Sequence, residues 1–142
     1  MSSKSLVSII IPCKNVDDYT KECIEHCECL NYPNFETILL PDYSTEAIDG
    51  VIIITTGPVS PGAKRNIGVK NSSGEFCAFI DNDAYPRRDW LTNSVKLLQN
   101  SDVAGVGGPG LTPETDDFMQ KAGGYVLSSF MVGTLYALDT CR

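Results

Sequence analysis

The sequence is short of positive charge. Eleven lysines and arginines stand against eighteen aspartates and glutamates, a formal net charge of −7 over 142 residues. Surfaces that hold nucleic acid through its phosphates are basic, so nucleic acid is excluded as a partner. A single nucleotide needs only a small local site and is not excluded. Long apolar runs are also missing. No stretch reaches the roughly 18 apolar residues of a membrane span. The nearest, Tyr125 to Leu138, contains Ser128, Ser129, Gly133 and Thr134 and reads as a buried or amphipathic segment. No secretory leader precedes the first apolar run. The six cysteines therefore suggest a reduced, cytoplasmic setting, or the cytoplasmic face of a membrane in a longer protein. Cys23, His26, Cys27 and Cys29 form the only local cluster of metal-binding residue types. The second ligand pair of a zinc finger or ribbon is absent, and small thiols buried on a helix explain the spacing. Internal repeats, low-complexity tracts and clear linkers are lacking. The glycines from Gly105 to Gly110 do not have G-x-G-x-x-G spacing, which argues against a dinucleotide fingerprint there.

What is present is an ordinary globular composition, 42% hydrophobic and 20% charged, in a chain long enough for one domain with a real core. Leu6 to Ile11 is a continuous, mostly β-branched run closed by Pro12, the pattern of a strand buried on both faces. Asp17 or Asp18 can cap a helix running to about Cys29. Further strands are expected over Phe35 to Leu40, Val51 to Thr55, Phe76 to Ile80 and, briefly, Val103 to Val106. Helices are expected from about Ala63 to Lys70 and from Arg88 to Gln99. Strand and helix alternate, so the expected fold class is α/β, with a mostly parallel sheet and helices on its faces.

In such a sheet the carboxyl ends of successive strands converge on one crevice. This chain puts unusual polarity there: Pro12-Cys13-Lys14-Asn15, then Asp42-Tyr43-Ser44-Thr45, then Pro61-Gly62-Ala63-Lys64-Arg65-Asn66, then Asp81-Asn82-Asp83. Lys64 and Arg65 open a helix after a glycine-containing loop, a setting that favours an anion, or else they form a solvated basic helix start. Arg65 can grip a phosphate bidentately. Asp42 can accept hydrogen bonds from a base or ribose, or cap a turn. Asp81 and Asp83 emerge together from an apolar strand. They can hold Mg²⁺ or Mn²⁺ against a diphosphate, because hard cations take one or two carboxylates plus phosphate oxygens, or they can cap the turn and the next helix.

Together these segments resemble the family 2 glycosyltransferases. The matching pieces are Val7 to Asn15, Ile38 to Thr45, Gly62 to Gly68, Phe79 to Ala84 and Val106 to Pro109, in matching order. The resemblance covers about residues 6 to 110. It implies a GT-A fold, a Rossmann-like three-layer sandwich, in one domain over 1–142 whose residues 111–142 begin the acceptor side. It implies a transferase that binds a nucleotide-diphosphate sugar through a divalent metal, Mn²⁺ or Mg²⁺, and passes the sugar to an unknown glycan, lipid or protein acceptor. Pro12, Cys13, Lys14 and Asn15 would line the nucleotide. Asp42 would bind the base, and Arg65 would lie near the base or diphosphate. Asp81 and Asn82 would sit by the donor, with Asp81 by the ribose or metal and Asp83 as the main metal ligand.

Two departures stand out. Val16 follows Asn15 where the family often has an acid, and Pro41-Asp42-Tyr43 stands where it often has two acids and a glycine. Family domains also run well beyond 200 residues. The expectation is therefore a donor-binding half with its catalytic base beyond Arg142, poor transfer by this chain alone, and self-association through Tyr125 to Leu138. Glu114, Asp116, Asp117 and Asp139 are weak candidates for that base. The competing readings are a non-catalytic nucleotide-sugar-binding module, a nucleotidyltransferase, and a plain α/β domain whose strand-end residues are only caps. The nucleotidyltransferase would want a glycine-rich segment after the first strand, and Pro12 to Asp18 has none.

Overall fold

The computed structural model describes residues 4–108, and those up to Ala104 make one compact unit. Four strands, β1 (Val7–Pro12), β2 (Phe35–Leu40), β3 (Val51–Ile53) and β4 (Phe76–Phe79), form an all-parallel sheet in the order β3-β2-β1-β4. Three helices, α1 (Asp18–Glu28), α2 (Pro61–Lys70) and α3 (Trp90–Leu98), connect or follow them. β1 is central and buried along its whole length, as its largely apolar sequence, interrupted at Ser8, allows. It pairs from Val7↔Phe35 to Pro12↔Leu40 on one side and from Val7↔Phe76 to Ile10↔Phe79 on the other.

Alternate β1 residues serve two cores. Val7, Ile9, Ile11 and Cys13 pack with Cys23, Ile24 and Cys27 of α1 and with Leu91 and Val95 of α3. Ile10 joins Ile38 and Leu40 on the other face, under Ile67 of α2. The three layers are thus α1 with α3, the sheet, and α2. α2 lies close because position 68 is glycine: a Cβ there would stand 2.6 Å from Ile10 Cγ2.

Several boundaries differ from expectation: α3 is shorter, Trp90–Leu98, and β1 and β4 end within a residue of the expected positions. α2 starts at Pro61, earlier than Ala63, because Ser60 caps it and proline suits the first helical turn. β3 ends at Ile53, where the chain leaves the sheet edge. The fifth strand expected over Val103 to Val106 is not formed: these residues have no regular structure. Gly105 weakens so short a run, and no described strand offers it a ladder. The segments expected beyond Gly108 lie outside the described residues, Pro109 and Tyr125 to Leu138 among them.

Candidate functional site

β1 leads through α1 to β2 on one side of itself, whereas the chain returns from β3 through α2 to β4 on its other side. The switch point therefore lies at the carboxyl ends of β1 and β4, where open sheets bind their ligands. A cavity of about 610 Å³ opens there, lined by Pro12, Cys13, Lys14, Asp42, Val59, Pro61, Lys64, Arg65, Asp81, Asn82 and Asp83. That volume is in the range of small-molecule sites, about 300–1,000 Å³.

Backbone hydrogen bonds lace its walls. Cys13 N–H donates to Leu40 O at 3.2 Å and Asp42 N–H to Lys14 O at 3.1 Å, so the loops after β1 and β2 run on as a pair. Gly57 N–H donates to Asp42 O at 3.1 Å and ties in the approach to α2. On the opposite wall, Ala84 N–H donates to Asp81 O at 3.1 Å, closing a turn that carries Asn82 and Asp83. α1 fixes this turn. The Cys23 thiol points at Asp81 O, at 3.7 Å, and Asn82 Nδ2 donates to Thr20 Oγ1 at 3.0 Å. Thr20 lies at the start of α1, where Asp17 caps the helix by accepting its N–H at 2.9 Å and its hydroxyl at 2.8 Å.

Eight of the nine residues expected at the site line the cavity; Asn15 does not. Its side chain is exposed and its carbonyl accepts from the Thr20 hydroxyl at 3.3 Å. Arg65 and Asp81 form an ion pair at 2.6 Å on the exposed side. Asp83 has no protein hydrogen bond or ion pair among the described residues, and neither it nor Asp81 caps α3, whose N-cap position is Asp89. The helix-cap reading of these two carboxylates thus lacks the contacts it needs.

Lys64 is the residue sequence reasoning missed. It is 3% exposed, so it is neither a solvated helix start nor an anion grip. Its ammonium donates to Cys13 O at 2.5 Å, to Leu40 O at 3.1 Å and to the Asp42 carboxylate. Helical spacing could have found it: Lys64 and Gly68, four apart, are the two buried positions of α2. The pairings leave Lys14 and Asp83 as the exposed charges without an opposite partner among the six lining the cavity. The Cys13 thiol is pushed up to about 11 by burial, with the Lys64 charge opposing, so it stays neutral beside them.

The cysteine–histidine cluster is divided by the helix. Cys23 and Cys27 are in the core while His26 and Cys29 are exposed, with His26 stacked on Tyr85. No group of three or more histidine, cysteine or acidic side chains converges among the described residues. A zinc site there is not formed. Two carboxylates at the turn still fit Mg²⁺ or Mn²⁺, which complete their shells with water and phosphate oxygens.

A parallel sheet sandwiched by helices, with a polar cavity at its switch point, is the architecture of the nucleotide-binding α/β proteins. Within that class the chain belongs to glycosyl transferase family 2, whose model matches residues 8–122. An uncharacterized glycosyltransferase of Haemophilus influenzae is 33% identical over 108 residues, covering 67% of this chain and 43% of that protein. A dolichyl N-acetyl-α-D-glucosaminyl phosphate 3-β-D-2,3-diacetamido-2,3-dideoxy-β-D-glucuronosyltransferase of Methanococcus voltae is 30% identical over 124 residues, covering 73% of this chain and 39% of that protein. The chain thus spans less than half the length of these relatives. Among solved structures, S. aureus TarS 1-349 in complex with UDP-GlcNAc is 24% identical with a TM-score of 0.58, covering 74% of this chain and 37% of that one. The mannosyltransferase PcManGT of Pyrobaculum calidifontis, in complex with GDP-Man and Mn²⁺, is 22% identical with a TM-score of 0.61, covering 70% and 34%. The GT-A fold expected from the resemblance is the fold observed. No helix among the described residues is long and apolar enough to cross a membrane.

Proposed function

We propose that this chain binds a nucleoside-diphosphate sugar at the switch-point cavity and supplies the donor site of a glycosyltransferase. The observation that carries the reading is Asp83: a carboxylate without a partner among the described residues, on a turn anchored by α1, in a cavity that also holds Lys14, likewise without one among them. An exposed carboxylate beside Asp81 repels a diphosphate unless a cation lies between them. Asp83 and Asp81 would hold Mg²⁺ or Mn²⁺, whose chemistry there is to neutralise the diphosphate as it leaves. Lys14 would meet the phosphates, and Pro12, Cys13 and Asp42 the nucleoside. Arg65 is held by Asp81 and can turn to a phosphate once a cation takes over that carboxylate. The neighbours were solved with a uridine and with a guanosine donor, so the fold accommodates either.

Among the described residues the acids lining the cavity are Asp42, Asp81 and Asp83, and each is assigned to donor binding. None is left to take a proton from an acceptor, a task worth about 10²–10⁴-fold in rate. The chain alone is therefore proposed to bind donor and to transfer sugar poorly. Titration of UDP and GDP by calorimetry, with Mn²⁺ and with chelator, tests the reading. Binding of at least one diphosphate should strengthen markedly with Mn²⁺, and equal affinity in both conditions would remove the metal from it.

A further inference from the structure

The buried Lys64 limits what Asp42 can offer a base. Its ammonium has three N–H groups, and all three are committed, to Cys13 O, Leu40 O and Asp42 Oδ1. Lys64 therefore has no donor left for a ligand. Asp42 Oδ1 is taken by the same contact, and no protein donor reaches Oδ2 among the described residues. Among the described residues no polar side-chain atom is both sealed and unpaired, so Oδ2 retains some access, and Asp42, 7% exposed, lines the cavity. Its direction is fixed twice over. The twin oxygen is pinned by Lys64, and the Asp42 backbone is held through Lys14 O and Gly57 N–H. The base wall at Asp42 thus presents one immobile anionic acceptor and, from Lys64, no donor.

We propose that Lys64 is a specificity-determining residue: by occupying one oxygen of Asp42 it makes a single-acceptor wall that selects an imide base, uracil or thymine, over guanine. The inference rests on the donor-site reading above. An imide ring presents one N–H on its pairing edge, which one oxygen satisfies. Guanine presents two adjacent donors, N1–H and the 2-amino group, and needs both oxygens of a carboxylate to satisfy them. Cytosine and adenine present a ring-nitrogen lone pair beside their amino group, and that lone pair faces the anion. Losing one charge-assisted hydrogen bond costs guanine about tenfold or more in affinity.

The test measures the affinities of UDP, dTDP, GDP and CDP, with Mn²⁺, for the full chain and two variants. In the unaltered chain UDP or dTDP should bind at least about tenfold tighter than GDP, and the two arms tell uracil from thymine. Lys64→Met frees the second oxygen, so the UDP-to-GDP ratio should contract towards one. A merely structural lysine would weaken all four alike and leave the ratio unmoved, which would overturn the proposal. Should Lys64→Met fail to fold, Asp42→Asn keeps an oxygen for Lys64 and turns an amide N–H₂ into the cavity. CDP, with its ring-nitrogen acceptor, should then overtake UDP; retention of the UDP preference would count against the inference. Equal or tighter GDP binding by the unaltered chain overturns the inference while the donor-site reading stands. If none of the four binds, the donor-site reading fails and the inference falls with it.

Discussion

Asp83 and Cys13 face the same cavity and are set apart by their surroundings. Asp83 is exposed and takes no hydrogen bond from the described residues, so removing it costs that part of the fold little. Asp83→Ala should leave the thermal midpoint unchanged in the absence of metal and abolish the Mn²⁺-dependent part of diphosphate binding. A lower midpoint with binding intact would make Asp83 a structural residue, since a lost cap costs about 0.5–2 kcal/mol. Cys13 is the reverse case. Burial raises its thiol from 9.0 to about 11, so the folded state keeps a proton that the unfolded chain releases above 9.0. Stability from this source is complete below about pH 9 and is lost as pH rises through about 11. Tyr32, raised by burial, acts in the same direction, whereas Cys23 and Cys27 oppose each other, their contact lowering the first thiol and raising the second. Urea unfolding under reducing conditions at about pH 8 and about pH 10.5 should show the fall, and Cys13→Ala should make it shallower. A slope unchanged by Cys13→Ala would mean that its thiol is hydrated in the folded chain.

At the scale of elements, α2 does the most positioning, and one close approach sets its distance from the sheet. Gly68→Ala normally favours a helix by about 1 kcal/mol. Here the added methyl would meet Ile10 Cγ2 at 2.6 Å, in a strand buried along its whole length. The sign should reverse, with a net destabilisation of about 1–3 kcal/mol, and Ile10→Val should recover part of it in the double variant. A more stable Gly68→Ala would show that α2 shifts outward freely. The same helix marks how far the sequence could be read. Short apolar runs, Ile9 to Ile11 closed by Pro12 and Ile38 to Leu40 closed by Pro41, made β1 and β2 legible, because buried parallel strands are rich in aliphatic residues. Acids after β4 and a lysine–arginine pair after a glycine loop made the cavity's chemistry legible. Which way each side chain turns was not. Lys64 and Arg65 are adjacent, and helix geometry buries one under the sheet's end while aiming the other at Asp81. Thr20 was overlooked because a helix-start threonine is commonplace. Its role arises only where α1 meets the Asp81 turn, a contact 62 residues apart in sequence. Val103 to Val106 has strand-like residues but no described partner, and a strand exists only through its partner, so the expected fifth strand is not formed.

The whole molecule carries an imbalance between its two sheet faces. Among the described residues α1 and α3 cover one face, while α2 alone lies on the other. A helix is about 10 Å across and strands are spaced about 5 Å, so one helix shields the two central strands and leaves the outer two bare. The exposures follow that geometry. Ile10 and Ile38 beneath α2 are fully buried, whereas Phe79, paired with Ile10 in register, is 47% exposed and Ile52, paired with Ile38, is 44% exposed. Apolar residues on outer strands are prone to covering by another chain. Against this stands the net charge of −7, which keeps copies apart over the screening length, about 8 Å at physiological salt. These opposing terms fix the sign of an experiment. Sedimentation velocity over a range of protein concentrations should show association that strengthens from low to high salt, because salt screens the repulsion and leaves the apolar attraction. Association driven by ion pairs would weaken instead. Phe79→Ser should reduce the association at high salt without lowering diphosphate affinity, since Phe79 is not among the residues lining the cavity. A chain that stays monomeric at every salt and concentration would show that these outer-strand residues are too dispersed to form a contact surface.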